Sequence, residues 1–141
     1  MNDRQFFDEV RQRLACDQER AESLTFTVFQ VLRECITPKE ADDVAAQLAT
    51  PLKRLWAAAN WPIQGHERID GNEFVGRVRH WGALPDDREA ERAISAVFRS
   101  LQHALGSTSG MEGEAWDVMS QLPKHVKRLW LSAGRTEAEA S

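Results

Sequence analysis

The sequence has no excess of positive charge. Its net charge is −4, with a pI of about 5.6. Residues 1–60 carry 8 Lys and Arg against 10 Asp and Glu, and residues 61–141 carry 10 against 12, so neither half is basic. A general basic footprint for nucleic acid or anionic lipid is therefore missing, and nucleic acid is not the expected partner. Cysteine is scarce: Cys16 and Cys35 are too far apart for a zinc knuckle or a CxxC redox pair. No apolar run resembles a secretion signal or is long enough to span a membrane, so a cytoplasmic protein with free thiols and no membrane contact is expected. The histidines, His66, His80, His103 and His125, show no i, i+4 zinc spacing. There is no G-x-S-x-G nucleophile motif, and no stretch alternates with period two. These absences predict no cofactor, no metal and no enzyme of a motif-bearing class. A triad assembled from distant positions stays open.

What is present is a repeat. "AESLTFTVFQVL" (Ala21–Leu32) lies over "AERAISAVFRSL" (Ala90–Leu101), and "EADDVAAQL" (Glu40–Leu48) lies over "EAWDVMSQL" (Glu114–Leu122). Each is followed at the same distance by Lys-Arg-Leu-Trp, at Lys53–Trp56 and Lys127–Trp130. Upstream, Phe6-x-x-x-Val10-Arg11 lies over Phe74-x-x-x-Val78-Arg79. Four blocks in the same order point to tandem duplication. The offset between copies grows along the chain, which places an insertion around Gly106–Gly113, expected to be a flexible loop.

Each copy reads as four helices. Thr37-Pro38-Lys39-Glu40 has the form of a capping box, in which the Thr oxygen and the Glu carboxylate satisfy orphan backbone N–H groups. Asp70 with Glu73, Asp86 with Glu89 and Asn2 with Gln5 share that spacing; Asp17 can cap the second helix and Thr50-Pro51 opens the fourth. Ala90, Ile94, Val97, Phe98 and Leu101 form one apolar stripe at steps of three and four. The fold class is all-α: a compact helical domain of two tandem four-helix repeats in a pseudo-two-fold arrangement. It spans residues 1–135, with repeat one at about 3–59, a linker at 60–69 containing Trp61, and repeat two at about 70–134. Residues 136–141 read as a frayed tail.

The pattern Phe-x-x-x-Val, then "AERA…VFRSL", then "GEAWDVMSQLP…LW", written twice, resembles a bacterial family known as domain of unknown function 2267. The resemblance covers roughly Phe6 to Trp130. It implies an all-helical duplicated bacterial protein, and it implies no activity, substrate or catalytic residue.

The candidate sites follow from the same patterns. Within Lys-Arg-Leu-Trp the Trp shares the apolar face of its helix, while the cations lie elsewhere around it. Trp in the core is therefore favoured over a stacking grip for nucleic acid. If the two last helices lie side by side, Lys53, Arg54, Lys124, Lys127 and Arg128 make one anion-binding patch. Glu40, Asp42 and Asp43, with Glu114 and Asp117, are acid/base or metal candidates, but a capping or solvated role is favoured, since Glu40 is assigned to a cap. Cys35 falls on the apolar stripe; Cys16 is the redox candidate. Trp116 aligns with Asp42, a surface residue type. It therefore either packs beneath the inserted loop, the favoured reading, or joins Met111 and Glu112 in a surface for an unknown protein partner. The leading function is a non-enzymatic interaction or scaffold module. The alternatives are a weak nucleic-acid or anion binder, and a small-molecule or redox role in a cleft between the copies.

Overall fold

A computed structural model describes residues 1–59 and 69–140. The linker residues 60–68, which include Trp61 and His66, and Ser141 lie outside the described residues. The rest is helical: α1 (Asp3–Leu14), α2 (Gln18–Cys35), α3 (Pro38–Gln47), α4 (Thr50–Ala58), α5 (Gly71–Trp81), α6 (Asp87–Ala104), α7 (Glu114–Ser120) and α8 (Lys124–Ala140). The helix starts are those the sequence marks. Asn2, Asp17, Thr37, Asp70 and Asp86 each accept a hydrogen bond from the backbone N–H three residues on, which satisfies donors the first turn leaves unpaired. Only Asn2 and Gln5 close the full reciprocal box. The last helix, α8, is continuous to Ala140, through the residues read from sequence as a tail. Thr136 to Ala140 has no glycine or proline to stop a helix, and Ala and Glu propagate one well.

The two longest helices, α2 and α6, pack on each other, and α1 and α5 each pack against both of them. Next, α4 lies on α2 and α8 lies on α6, while α3 bridges α4 to α7, and α7 leads to α8. The core runs along the α2–α6 contact. Phe6, Phe29 and Trp56 stack edge to face, with ring centroids 6.0 Å apart for Phe6–Phe29 and 5.0 Å for Phe29–Trp56. Phe74, Phe98 and Trp130 do the same at 6.1 and 4.9 Å. All six are essentially inaccessible to solvent. Aromatic pairs in this geometry add to the area they bury. Each indole N–H also finds a carbonyl: Trp56 Nε1 donates to Ala41 O at 3.0 Å and Trp130 Nε1 to Gly110 O at 2.6 Å. Lys-Arg-Leu-Trp is thus a core element with its cations outside.

The second of those bonds shows that the inserted loop is tied down rather than loose. Arg99 Nη1 donates to Thr108 O at 2.8 Å, Ser107 N donates to Gln102 O at 2.8 Å, and Gly110 N donates to Ser107 Oγ at 2.8 Å. Gly110 has φ of 81°, and a Cβ there would stand 2.6 Å from Gln102 Nε2 and 3.0 Å from Trp130 Nε1. A Cβ on Gly134 of α8 would meet Ser109 O at 1.9 Å. Glycine at both positions lets the loop lie flat on α6 and α8.

Trp56→Ala and Trp130→Ala are each expected to lower the unfolding free energy by about 3–5 kcal/mol. Trp116→Ala should change it by less than about 1 kcal/mol. Urea unfolding followed by circular dichroism checks all three.

Candidate functional site: a carboxylate cluster and an exposed tryptophan

Helices α3 and α7 come from opposite halves of the chain and pack against each other. Thr37 caps α3 by accepting from Glu40 N–H at 3.1 Å, as the capping box predicts. The return bond is different. Thr37 N–H donates to Gln121 Oε1 at 2.8 Å, a side chain 84 residues away. Freed from capping, the Glu40 carboxylate turns inward, and the residue is only 6% exposed. It faces Glu114: donor atoms of Glu40, Asp43 and Glu114 all lie within 4.8 Å of one another.

Two glutamines hold these carboxylates from across the contact. Gln121 Nε2 donates to Glu40 Oε1 at 3.3 Å, and Gln47 Nε2 donates to Glu114 Oε1 at 3.4 Å. The remaining oxygens, Glu40 Oε2 and Glu114 Oε2, are buried, and no amide or hydroxyl donor reaches either. Burial pushes the Glu40 carboxyl up to about 8, helped by its hydrogen bond with Glu114 and by the charges of Glu114, Asp117 and Asp43. At neutral pH Glu40 therefore carries a proton that a solvated glutamate would have lost. Asp42, two positions after Glu40 on α3, is exposed. The capping role expected for Glu40 was wrong because a side chain from the other half supplies the cap.

Trp116 keeps 47% of its surface in solvent, and Met111 keeps 51%. The inserted loop does not bury Trp116. Glu112 is exposed but occupied: its Oε1 accepts from the N–H and hydroxyl of Thr108 at 3.2 and 3.0 Å, and from those of Ser109 at 3.0 and 2.9 Å. These bonds, led by the Ser109 hydroxyl, hold its carboxyl down at about 2. Glu112 is the clasp of the loop that presents Met111.

The five candidate cations stand on two helices. Lys53 and Arg54 are exposed on α4, and Lys124 and Arg128 are exposed on α8. However, α4 packs on α2 and α3, whereas α8 packs on α5, α6 and α7. Lys127 is half-buried and borders a groove of about 750 Å³ with Glu34, Cys35, Thr37 and Gln121. Neither thiol is primed. Burial and then the Asp17 charge raise Cys16, and burial pushes Cys35 up to about 12, the opposite of what a reactive thiolate requires. His103 Nδ1 and Ser100 Oγ both bond Glu9, at 2.8 and 3.0 Å. The acid stands between serine and histidine and clamps α6 to α1.

The raised Glu40 carboxyl binds its proton more tightly in the folded than in the unfolded chain. Its contribution is fully present below about 4.5 and is lost as the pH rises to about 8. Glu40→Gln cannot lose that proton, so its stability relative to wild type should improve by on the order of 1 kcal/mol or more between pH 5 and pH 8.5. Urea unfolding of both proteins at the two pH values measures this. Glu112→Ala should open the loop: limited subtilisin digestion is expected to cut within residues 106–113 faster than in wild type, with the helical circular dichroism unchanged.

No curated protein matches this sequence at a significant level. The family described as "Uncharacterized conserved protein (DUF2267)" matches residues 3–129, nearly all of the helical structure above. The chain belongs to that family.

Proposed function

We propose that the chain is a helical interaction module built of two copies of a four-helix unit, and that it engages a protein partner through Trp116 and Met111. The observation that carries this reading is the exposure of those two large apolar side chains, 47% and 51%, beside a loop fastened by Glu112. Exposed Trp and Met flanked by ordered polar groups are the make-up of an interface hot spot. The pinned loop limits the conformational freedom that binding would have to remove.

Several features support the two-copy reading. The packing partners of α1 to α4 largely reappear among α5 to α8. The two aromatic stacks use corresponding residues. Ala15 and Ala83 both adopt left-handed φ, 51° and 52°, and each is followed by a residue whose N–H reaches back five positions, Cys16 to Arg11 O and Leu84 to Arg79 O. Left-handed alanine carries a steric cost, and its use at both matching sites fits inheritance from one unit. The glutamine bonds to Glu40 and Glu114 are reciprocal, as a pseudo-two-fold axis between α3 and α7 would make them. The family resemblance and two free thiols favour a bacterial cytoplasmic setting. A nucleic-acid or anion-binding reading draws less support, because its cations sit on helices with different packing partners.

The test is recovery of binding proteins from native lysate on the immobilised chain, followed by affinity measurement with each purified partner. Trp116→Ala is expected to weaken binding at least tenfold, as truncation of a hot-spot tryptophan does. Unchanged affinity for every partner would remove this surface from consideration.

A further inference from the structure

We propose that Glu40, Asp43 and Glu114 form a site for one hard divalent cation at the contact of α3 with α7. Three observations converge on it. The first is placement: one oxygen from each of the three carboxylates lies within 4.8 Å of the others. Oxygens on opposite sides of a Ca²⁺ ion stand about 4.6–5.2 Å apart, so the cluster spans one ion without helix rearrangement.

The second is the state of those oxygens. Glu40 is 6% exposed, and its Oε2 is buried with no amide or hydroxyl donor reaching it, as is Glu114 Oε2. Two buried carboxyl oxygens that no amide or hydroxyl donor reaches are costly beside each other, and one cation answers both. Their other oxygens are already held by Gln121 and Gln47. Such outer-shell bonds orient ligand carboxylates. Lys39 reaches Asp43 from solvent, Nζ to Oδ2 at 3.6 Å, with 89% of its side chain exposed, and an exposed pair of this kind is weak competition.

The third is donor chemistry. The cluster offers oxygen alone, with neither histidine nor cysteine among its members, which selects Ca²⁺, Mn²⁺ or Mg²⁺ over softer metals. Asp117 stands three residues after Glu114 as Asp43 stands three after Glu40, so both helices bring the same Glu-x-x-Asp spacing. Because α3 and α7 belong to opposite halves, an ion bound here cross-links them.

The full chain, stripped with chelator, is titrated with CaCl₂ and separately with MnCl₂ by calorimetry at neutral pH, and its thermal unfolding is followed with each ion. The expected result is one ion per chain and a Tm that rises with ion concentration. Glu40→Gln, Glu114→Gln and Asp43→Asn should each weaken binding at least about tenfold, while Asp42→Asn on the outer side of α3 leaves it unchanged. Circular dichroism of each variant confirms that it is folded, and the half-buried Asp43→Asn remains informative if the Glu40 variant is not. No heat and no Tm shift with either ion up to about 10 mM would overturn the site. So would an equal loss in Asp42→Asn, which would mark diffuse attraction to an acidic surface.

Discussion

The fold hangs on how the two Lys-Arg-Leu-Trp tryptophans are buried. Trp56 and Trp130 each lie against a phenylalanine of a long central helix, and each gives its indole N–H to a backbone carbonyl. The ring brings the hydrophobic gain; the N–H dictates what must sit beside it. In the first half the carbonyl is Ala41, inside α3. In the second it is Gly110, in the inserted loop. The same demand is met by a helix in one half and by a loop in the other. That difference accounts for the tight folding of residues 106–113 against α6 and α8.

The substitution of a loop for a helix has consequences for α7. This helix is short, Glu114–Ser120, and has no side-chain N-cap, whereas α3 has Thr37. Its first residue, Glu114, serves the α3 contact, and Trp116 is directed to solvent. The cluster and the exposed tryptophan are thus neighbours on one helix. The cluster faces inward to the other half of the chain and the tryptophan outward.

Much of this was legible in the sequence, and the reason is locality. A cap is a bond between residues three apart, so Asn2, Asp17, Thr37, Asp70 and Asp86 could be recognised from spacing alone. The apolar stripes of α2 and α6 were legible because helical periodicity sorts inside from outside, and the same periodicity placed Trp56 of α4 and Trp130 of α8 on apolar faces. The Glu40 carboxylate was not legible. Thr-Pro-Lys-Glu is a sound capping box in isolation, yet Gln121 occupies the Thr37 N–H and leaves the glutamate free to turn inward. Choosing between those outcomes requires knowing that α7 lies against α3. Glu112 was read from sequence as a partner contact, and its role as the acceptor around which its own loop closes needed the loop's fold to be seen.

A signal for the α3–α7 contact was nevertheless present in the aligned blocks. Glu40 and Gln47 correspond to Glu114 and Gln121, and both pairs persist where Asp42 and Trp116 diverge. A surface helix has no need to keep a glutamate and a glutamine seven apart. If two such helices cross about a two-fold axis, each glutamine falls near the other's glutamate, and the observed bonds are Gln121 to Glu40 and Gln47 to Glu114. Such crossing also forces the two glutamates together at the axis, where like charges in a dry contact cannot both persist uncompensated. Proton and cation are the two ways to relieve that conflict. The raised Glu40 carboxyl answers to the first, and Asp43 beside it is the residue that a shared proton leaves without a role.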